Sequence, residues 1–216
     1  MAIPRAAQTQ RRTRIQEEKE ELILEAALEV FSQRGFHGST IDQIAEVAGM
    51  SKPNLLYYFR TKDTMHRALI DRVLENWLEP LQAFDAEGDP EEEIRSYIRR
   101  KLEMARDFPR ESRLFANEIL QGAPHIEGVL EGPLKSLVDE KAGVIRAWIA
   151  AGKVRDCDPY HMIFSIWSTT QHYADFDVQV KAVLGIGHDG VDRFEAAARF
   201  LETLFVSGLI LGDKNA

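Results

Sequence analysis

Apolar residues along this chain recur at steps of three and four, and no stretch sustains the every-other-residue alternation of a half-buried strand. The pattern predicts an all-α protein of about nine helices. Over 18–35 the first has Leu22, Ala26 and Val30 on one face, Ile23 and Ala27 beside them, and Gly35 as a stop signal. Thr40 precedes "IDQIAEVAG" with Gln43 three positions on, a capping-box pattern, and Gly49 closes that helix. Ser51 is placed to cap the next, with Pro53 in its first turn, where a missing N–H costs nothing.

The polar "RTKD" after Phe59 interrupts the periodicity. A long helix is expected over about 62–84, with Pro80 kinking it. "GDP" at 88–90 predicts a turn, and helices follow over about 91–107, 109–120 and 134–151. Asp158 and Pro159 have the N-cap and first-turn pattern that opens "YHMIFSIWSTTQHYADF". "LGIGHDG" is expected to be a flexible link before a last helix, "VDRFEAAARFLETLFVSGL".

Composition adds that the 216 residues, 44% hydrophobic and 29% charged, suit a soluble globular chain with a substantial core. A compositional break near 60–62 suggests a flexible arm over 1–16, a small domain over 17–62 and a larger one over 63–216. Charge sharpens that division. Net charge is −8, which argues against a general nucleic-acid binder. Residues 1–62 nevertheless hold nine Lys and Arg against eight Asp and Glu, whereas the remainder holds eighteen against twenty-seven. Arg5, Arg11, Arg12 and Arg14 stand in an opening segment without acids, which fits either phosphate contact or a plain soluble tail. A lone cysteine, Cys157, fits a reducing cytoplasm, and its neighbours Asp156 and Asp158 disfavour a thiolate. No apolar run approaches the ~20 residues of a membrane span, and no apolar stretch follows the basic N-terminus as in a secretory signal.

The two short helices around Gly49 form a helix-turn-helix pattern. Ala45 is small and Gly49 can adopt positive φ, so the helices can cross closely. Ile44 and Val47 are expected to face inward against Leu55 and Leu56, leaving Ser51, Lys52, Asn54, Tyr57 and Tyr58 outward. Such a second helix enters a DNA major groove, its hydroxyls and ammonium bonding phosphates and an Asn reading an adenine edge. From spacing alone, a structural αα-corner with a polar outer face remains open.

The run "AALEVFSQRGFHGSTIDQIAEVAGMSKPNLLYYFRTKD" resembles the DNA-binding domain of the TetR family of bacterial regulators, through Phe31, Gly35-Phe36, Thr40, Ile44-Ala45, Ala48-Gly49, Ser51, Tyr57-Tyr58-Phe59 and Lys62. Met50 stands where Val is usual and should pack similarly. The resemblance implies DNA contacts at Thr40, Ser51, Lys52, Asn54, Tyr57, Tyr58 and Lys62, the last reaching a phosphate. It also implies a helical C-terminal domain that binds a small-molecule effector and pairs with a second subunit.

Candidate effector residues are Trp77, Phe115 and Glu118, with Tyr97 and Lys101 four apart on one helix and Trp167 and Gln171 four apart on another. Core packing is the plain alternative for each aromatic. Gln171 stands out, because a buried amide needs partners and a flat polar ligand against the nearby Trp167 would supply them. Segments such as "WLEPLQAF", "YIRRKLEMARDFP" and "FSIWSTTQHYADF" narrow the resemblance to regulators of pyrimidine utilisation, which implies uracil or thymine as effector.

The apolar positions of the last two helices, such as Phe164, Trp167, Phe194, Phe200, Leu204 and Phe205, exceed what one small bundle needs to cover and point to a four-helix homodimer interface, and hence to a near-palindromic double-stranded operator. Tilting of the helix that carries both Lys62 and Trp77 would couple effector to DNA release. His161 and His172 share a face but lack the carboxylate support of a metal site, so neither metal nor cofactor is expected. No activated Ser or Cys framework indicates an enzyme, although a helical enzyme or carrier remains the rival class, beside a regulator of another pathway such as efflux sensing a more apolar molecule.

Overall fold

A computed structural model describes residues 14–185 and 191–211; Arg5, Arg11, Arg12 and most of "LGIGHDG" lie outside the described residues. The chain divides into two compact units, residues up to Leu69 and residues from Ile70 onward.

In the first unit α1 (Arg14–Gly38) bends at Gly35, whose φ of 65° and ψ of 175° only a glycine adopts readily. The stop signal thus appears as a break, with one further turn beyond it. α2 (Ile41–Val47) is capped by Thr40, whose Oγ1 accepts from the Gln43 N–H while the Gln43 side chain accepts from the Thr40 N–H. Gly49 turns the chain at a φ of 63°. α3 (Lys52–Tyr58) is capped by Ser51, which accepts from the Asn54 N–H. Ile23, Ala27, Phe31, Ile44, Leu55 and Met65 are fully buried and form the core of this unit. Val47 faces the other way: it is 53% exposed, because α2 is too short to bury both it and Ile44.

α4 (Lys62–Gln82) contributes to both units and holds Pro80 internally. The second unit adds α5 (Pro90–Asp107), α6 (Pro109–Leu120), α7 (Glu127–Val129), a wide turn over Leu130–Leu134, α8 (Lys135–Ala150), α9 (Pro159–Asp175), α10 (Asp177–Leu184) and α11 (Val191–Leu209). α5 lies at its centre, packed on α9 and α11, while α6 and α8 pack on α9. Ile94, Ile98, Ile145, Ile163 and Ile166 fill the shared core. Among the described residues there is no strand; one isolated antiparallel bridge joins Val154 to Ile210.

Two helical segments exceed the nine that periodicity predicts. α7 spans three residues, below what a periodic pattern can register. α10 follows α9 after Phe176 alone, a junction marked by neither Gly nor Pro. No helix among the described residues is long and apolar enough to cross a membrane.

Candidate nucleic-acid interface and effector pocket

The outer face of α3 is built by its cap. Ser51 fixes the helix start, so Lys52, Asn54 and Tyr57 project outward, and Tyr57 is 72% exposed. Tyr58 is half-buried and meets the Tyr57 ring edge-to-face at 5.1 Å between centroids. Thr40 is exposed at the start of α2. Its hydroxyl and that of Ser51 act as acceptors in their caps, which leaves each O–H proton available to a phosphate. Lys52 Nζ pairs with Asp42 Oδ2 at 2.8 Å across the two helices, and the pair is largely exposed and therefore easily exchanged for a phosphate partner.

Lys62 is placed differently from its neighbours. Its Nζ donates to the carbonyls of Phe36 at 2.6 Å and Ser39 at 2.7 Å and sits 4.3 Å above the centre of the Phe36 ring. Burial lowers its pKa. The side chain therefore ties the end of α1 to the start of α4, and two of its three N–H donors are committed within the unit.

In the second unit a pocket is walled by Leu74, Trp77, Leu78, Leu81, Tyr97, Lys101, Phe115, Leu134, Trp167 and Gln171. Six of the seven candidates from the sequence, Trp77, Tyr97, Lys101, Phe115, Trp167 and Gln171, thus meet around one space. The indole N–H of Trp167 donates to the Tyr97 hydroxyl at 2.6 Å and braces α9 against α5. Burial holds the Tyr97 phenol well above its usual range, so it is a neutral donor. Lys101 is 2% exposed, and burial pulls its ammonium down to about 7, the Asp175 charge opposing this. Its Nζ lies 4.8 Å over the Trp77 ring. Among the described residues the Gln171 amide makes no hydrogen bond.

Glu118 is outside the pocket wall. It is buried and accepts from the His125 backbone N–H at 2.7 Å and approaches His125 Nδ1 at 3.0 Å, closing the turn after α6. Sequence reasoning also passed over Leu74, Leu78 and Leu81. Their spacing from Trp77 along α4 is that of one helical stripe, and would have found them. Leu134, in the turn before α8, carried no such signal.

Residues 23–69 match the bacterial regulatory proteins of the tetR family, and residues 70–212 match the C-terminal region of YcdC-like proteins. The chain belongs to the TetR family of transcriptional regulators. This TetR-family chain is 51% identical over 201 residues to the HTH-type transcriptional regulator RutR of Escherichia coli O157:H7, covering 93% of itself and 95% of that protein. RutR of Escherichia coli K12 matches to the same extent. Among solved structures, AibR in complex with isovaleryl coenzyme A and operator DNA superposes with a TM-score of 0.68 at 18% identity, covering 86% of this chain and 97% of that one. The ketosteroid regulator KstR2 of Mycobacterium tuberculosis gives a TM-score of 0.68 at 18% identity over 90% of this chain and 95% of its own. These two likenesses establish the fold. The TetR-type chain is a DNA-binding transcriptional regulator, and its relatives are regulators rather than enzymes.

Proposed function

We propose that this regulator represses genes of pyrimidine metabolism from a near-palindromic operator, as a homodimer, and is released when uracil or thymine fills the α4–α5–α9 pocket. The observation that carries this reading is Gln171, whose amide stands unpartnered among the described residues on the wall of an aromatic pocket, one turn from Trp167. One amide donates and accepts side by side, as does the N3–H and adjoining carbonyl of uracil, and Trp77 or Trp167 supplies a face for the ring. Similarity to the RutR proteins, taken with the pyrimidine-type resemblance of the sequence, supports the same effector.

DNA contact is assigned to Thr40, Ser51, Lys52, Asn54, Tyr57 and Tyr58, with Lys62 contributing through its one uncommitted donor. Dimerisation is assigned to α9 and α11, where Phe164, Phe200 and Leu204 are about half exposed or more. Phe194 and Phe205, by contrast, are spent in the core of the unit. Signal transfer would run along α4, which carries both Lys62 and Trp77. The protein would act in the cytoplasm.

Fluorescence anisotropy on a DNA duplex from upstream of the protein's own operon, with and without uracil, tests the whole scheme. Release by uracil and thymine but not by cytosine, whose exocyclic amine reverses part of the pattern, is the expected result. Equal release by cytosine would sink the pairing. The apolar wall of Leu74, Leu78, Leu81, Leu134 and Phe115 favours one second reading, an apolar effector in a regulator of another pathway. Displacement of operator by an apolar compound, with none by uracil, would establish it.

A further inference from the structure

The pocket presents more hydrogen-bond donors than acceptors. Lys101 enters it from α5 with three N–H donors, and its ammonium makes no hydrogen bond or ion pair among the described residues. The Trp77 indole N–H, from α4, is buried without a partner. The Tyr97 hydroxyl accepts from Trp167 and so retains its own proton to give. The Gln171 carbonyl is the one side-chain acceptor among the lining residues that is not already engaged. Such a wall is completed by a ligand that brings oxygens.

The charged neighbours of Lys101 are few. α4 contributes only Leu74, Trp77, Leu78 and Leu81 to the wall, and the turn before α8 only Leu134. α9 supplies Asp175, whose charge acts on Lys101 at a distance. That carboxylate accepts from Ser112 Oγ of α6 at 2.5 Å, and Arg113 and His172 also act on it. Burial raises the Asp175 pKa, which makes it a weaker counter-charge.

We propose that Lys101 receives an oxygen of the effector as an ammonium, so that effector binding draws up to one proton from solvent onto this side chain, more as pH rises, and selects ligands presenting a carbonyl or carboxylate there. The inference rests on the pocket being the effector site. Lys101 titrates near neutrality, with its pKa at about 7, so the amine and ammonium forms coexist. Ligand oxygen favours the charged form; the amine takes up a proton, and no bond within the ligand breaks. If only the ammonium form binds, apparent affinity falls in proportion to its population, roughly tenfold between pH 6 and pH 8.

Calorimetry of the full chain with uracil, and separately with benzoate as a planar anion lacking the pyrimidine pattern, decides this. Titrations in phosphate and in imidazole buffer at pH 6, 7 and 8 give the protons taken up from the difference in heat. The expected result is uptake rising from near zero at pH 6 toward one proton per site at pH 8. It should vanish in Lys101→Met, persist in Asp175→Asn, and give way to pH-independent binding in Lys101→Arg. Uracil binding with flat affinity and no uptake would overturn the proposal while leaving the effector reading intact. Benzoate binding with uptake, without uracil binding, would support Lys101 and reject the pyrimidine. Failure of both ligands to bind would reject both. Near-ultraviolet circular dichroism of each variant confirms the fold.

Discussion

The two units treat their polar side chains in opposite ways. Around α2 and α3 the polar groups close on one another locally: Thr40 with Gln43, Ser51 with the Asn54 N–H, Lys52 with Asp42, and Lys62 with the carbonyls of Phe36 and Ser39. These contacts pair much of the face within the unit, while the O–H protons of Thr40 and Ser51 and one N–H of Lys62 are left over from them. The pocket of the second unit holds polar groups without hydrogen-bond partners among the described residues: the buried Trp77 indole N–H, the buried Lys101 ammonium and the half-buried Gln171 amide. Buried and unmatched polar groups cost stability, and a fold keeps them where a ligand will complete them. On the proposed reading one unit is set for a partner of fixed charge, the other for a small molecule of fixed hydrogen-bonding pattern.

Removing the buried amine should give the largest effect on this contrast. The folded Lys101 titrates at about 7 and the unfolded one at 10.5, so the unfolded chain binds this proton more tightly. Stability of the second unit should therefore rise with pH between about 7 and about 10.5, and be lowest and level below 7. Lys101→Met should remove that slope and stabilise the unit at pH 6 by on the order of a few kcal/mol, with less gain at pH 10. Urea unfolding at both pH values measures it. A variant less stable than the parent at pH 6 would mean that the ammonium is matched after all.

The reading face should break without the pocket noticing. Lys52→Glu places a negative charge against phosphate, and a loss of roughly 100-fold in operator affinity is expected, with a shallower salt dependence. Uracil affinity by calorimetry should stay within twofold. In the reverse direction, Gln171→Ala should weaken uracil about tenfold, the scale of one lost hydrogen-bonding group, and leave operator affinity unchanged when no effector is present. A Gln171→Ala variant that bound uracil at full strength would move the recognition elsewhere on the wall.

How much could be read in advance follows from how each region is made. The caps at Thr40, Ser51 and Asp158 are contacts between residues two or three apart, and sequence shows them directly. The pocket joins positions from Leu74 to Gln171, yet six of its residues were legible because aromatic and amide side chains at helical spacing stand out against an aliphatic background. What escaped notice was chemistry that depends on approach. Nothing local reveals that Lys62 turns back on carbonyls 26 and 23 residues earlier, or that Glu118 is taken by His125 rather than by the cavity. Val47 was misplaced because a helix of seven residues buries one narrow stripe, and Ile44 occupies it.

The smallest effect tests whether a cap and a DNA contact share one atom. Thr40 Oγ1 accepts from the Gln43 N–H at 3.3 Å, and its hydroxyl proton is the part assigned to phosphate. Thr40→Ala removes both functions, and a loss of about 1 kcal/mol in stability of the first unit is expected, together with weaker operator binding. Thr40→Asn separates them, because Asn caps a helix about as well as Thr and offers its own amide N–H in place of the hydroxyl. Thermal unfolding should therefore leave Thr40→Asn within a few tenths of a kcal/mol of the parent. If its operator affinity also matches the parent while Thr40→Ala falls about threefold, the position serves DNA through any donor held at the cap. If Thr40→Asn is as stable as the parent and as weak as Thr40→Ala on DNA, the phosphate requires the short reach of the hydroxyl, and the contrast between a self-paired reading face and an unmatched pocket is sharpened to the length of one side chain.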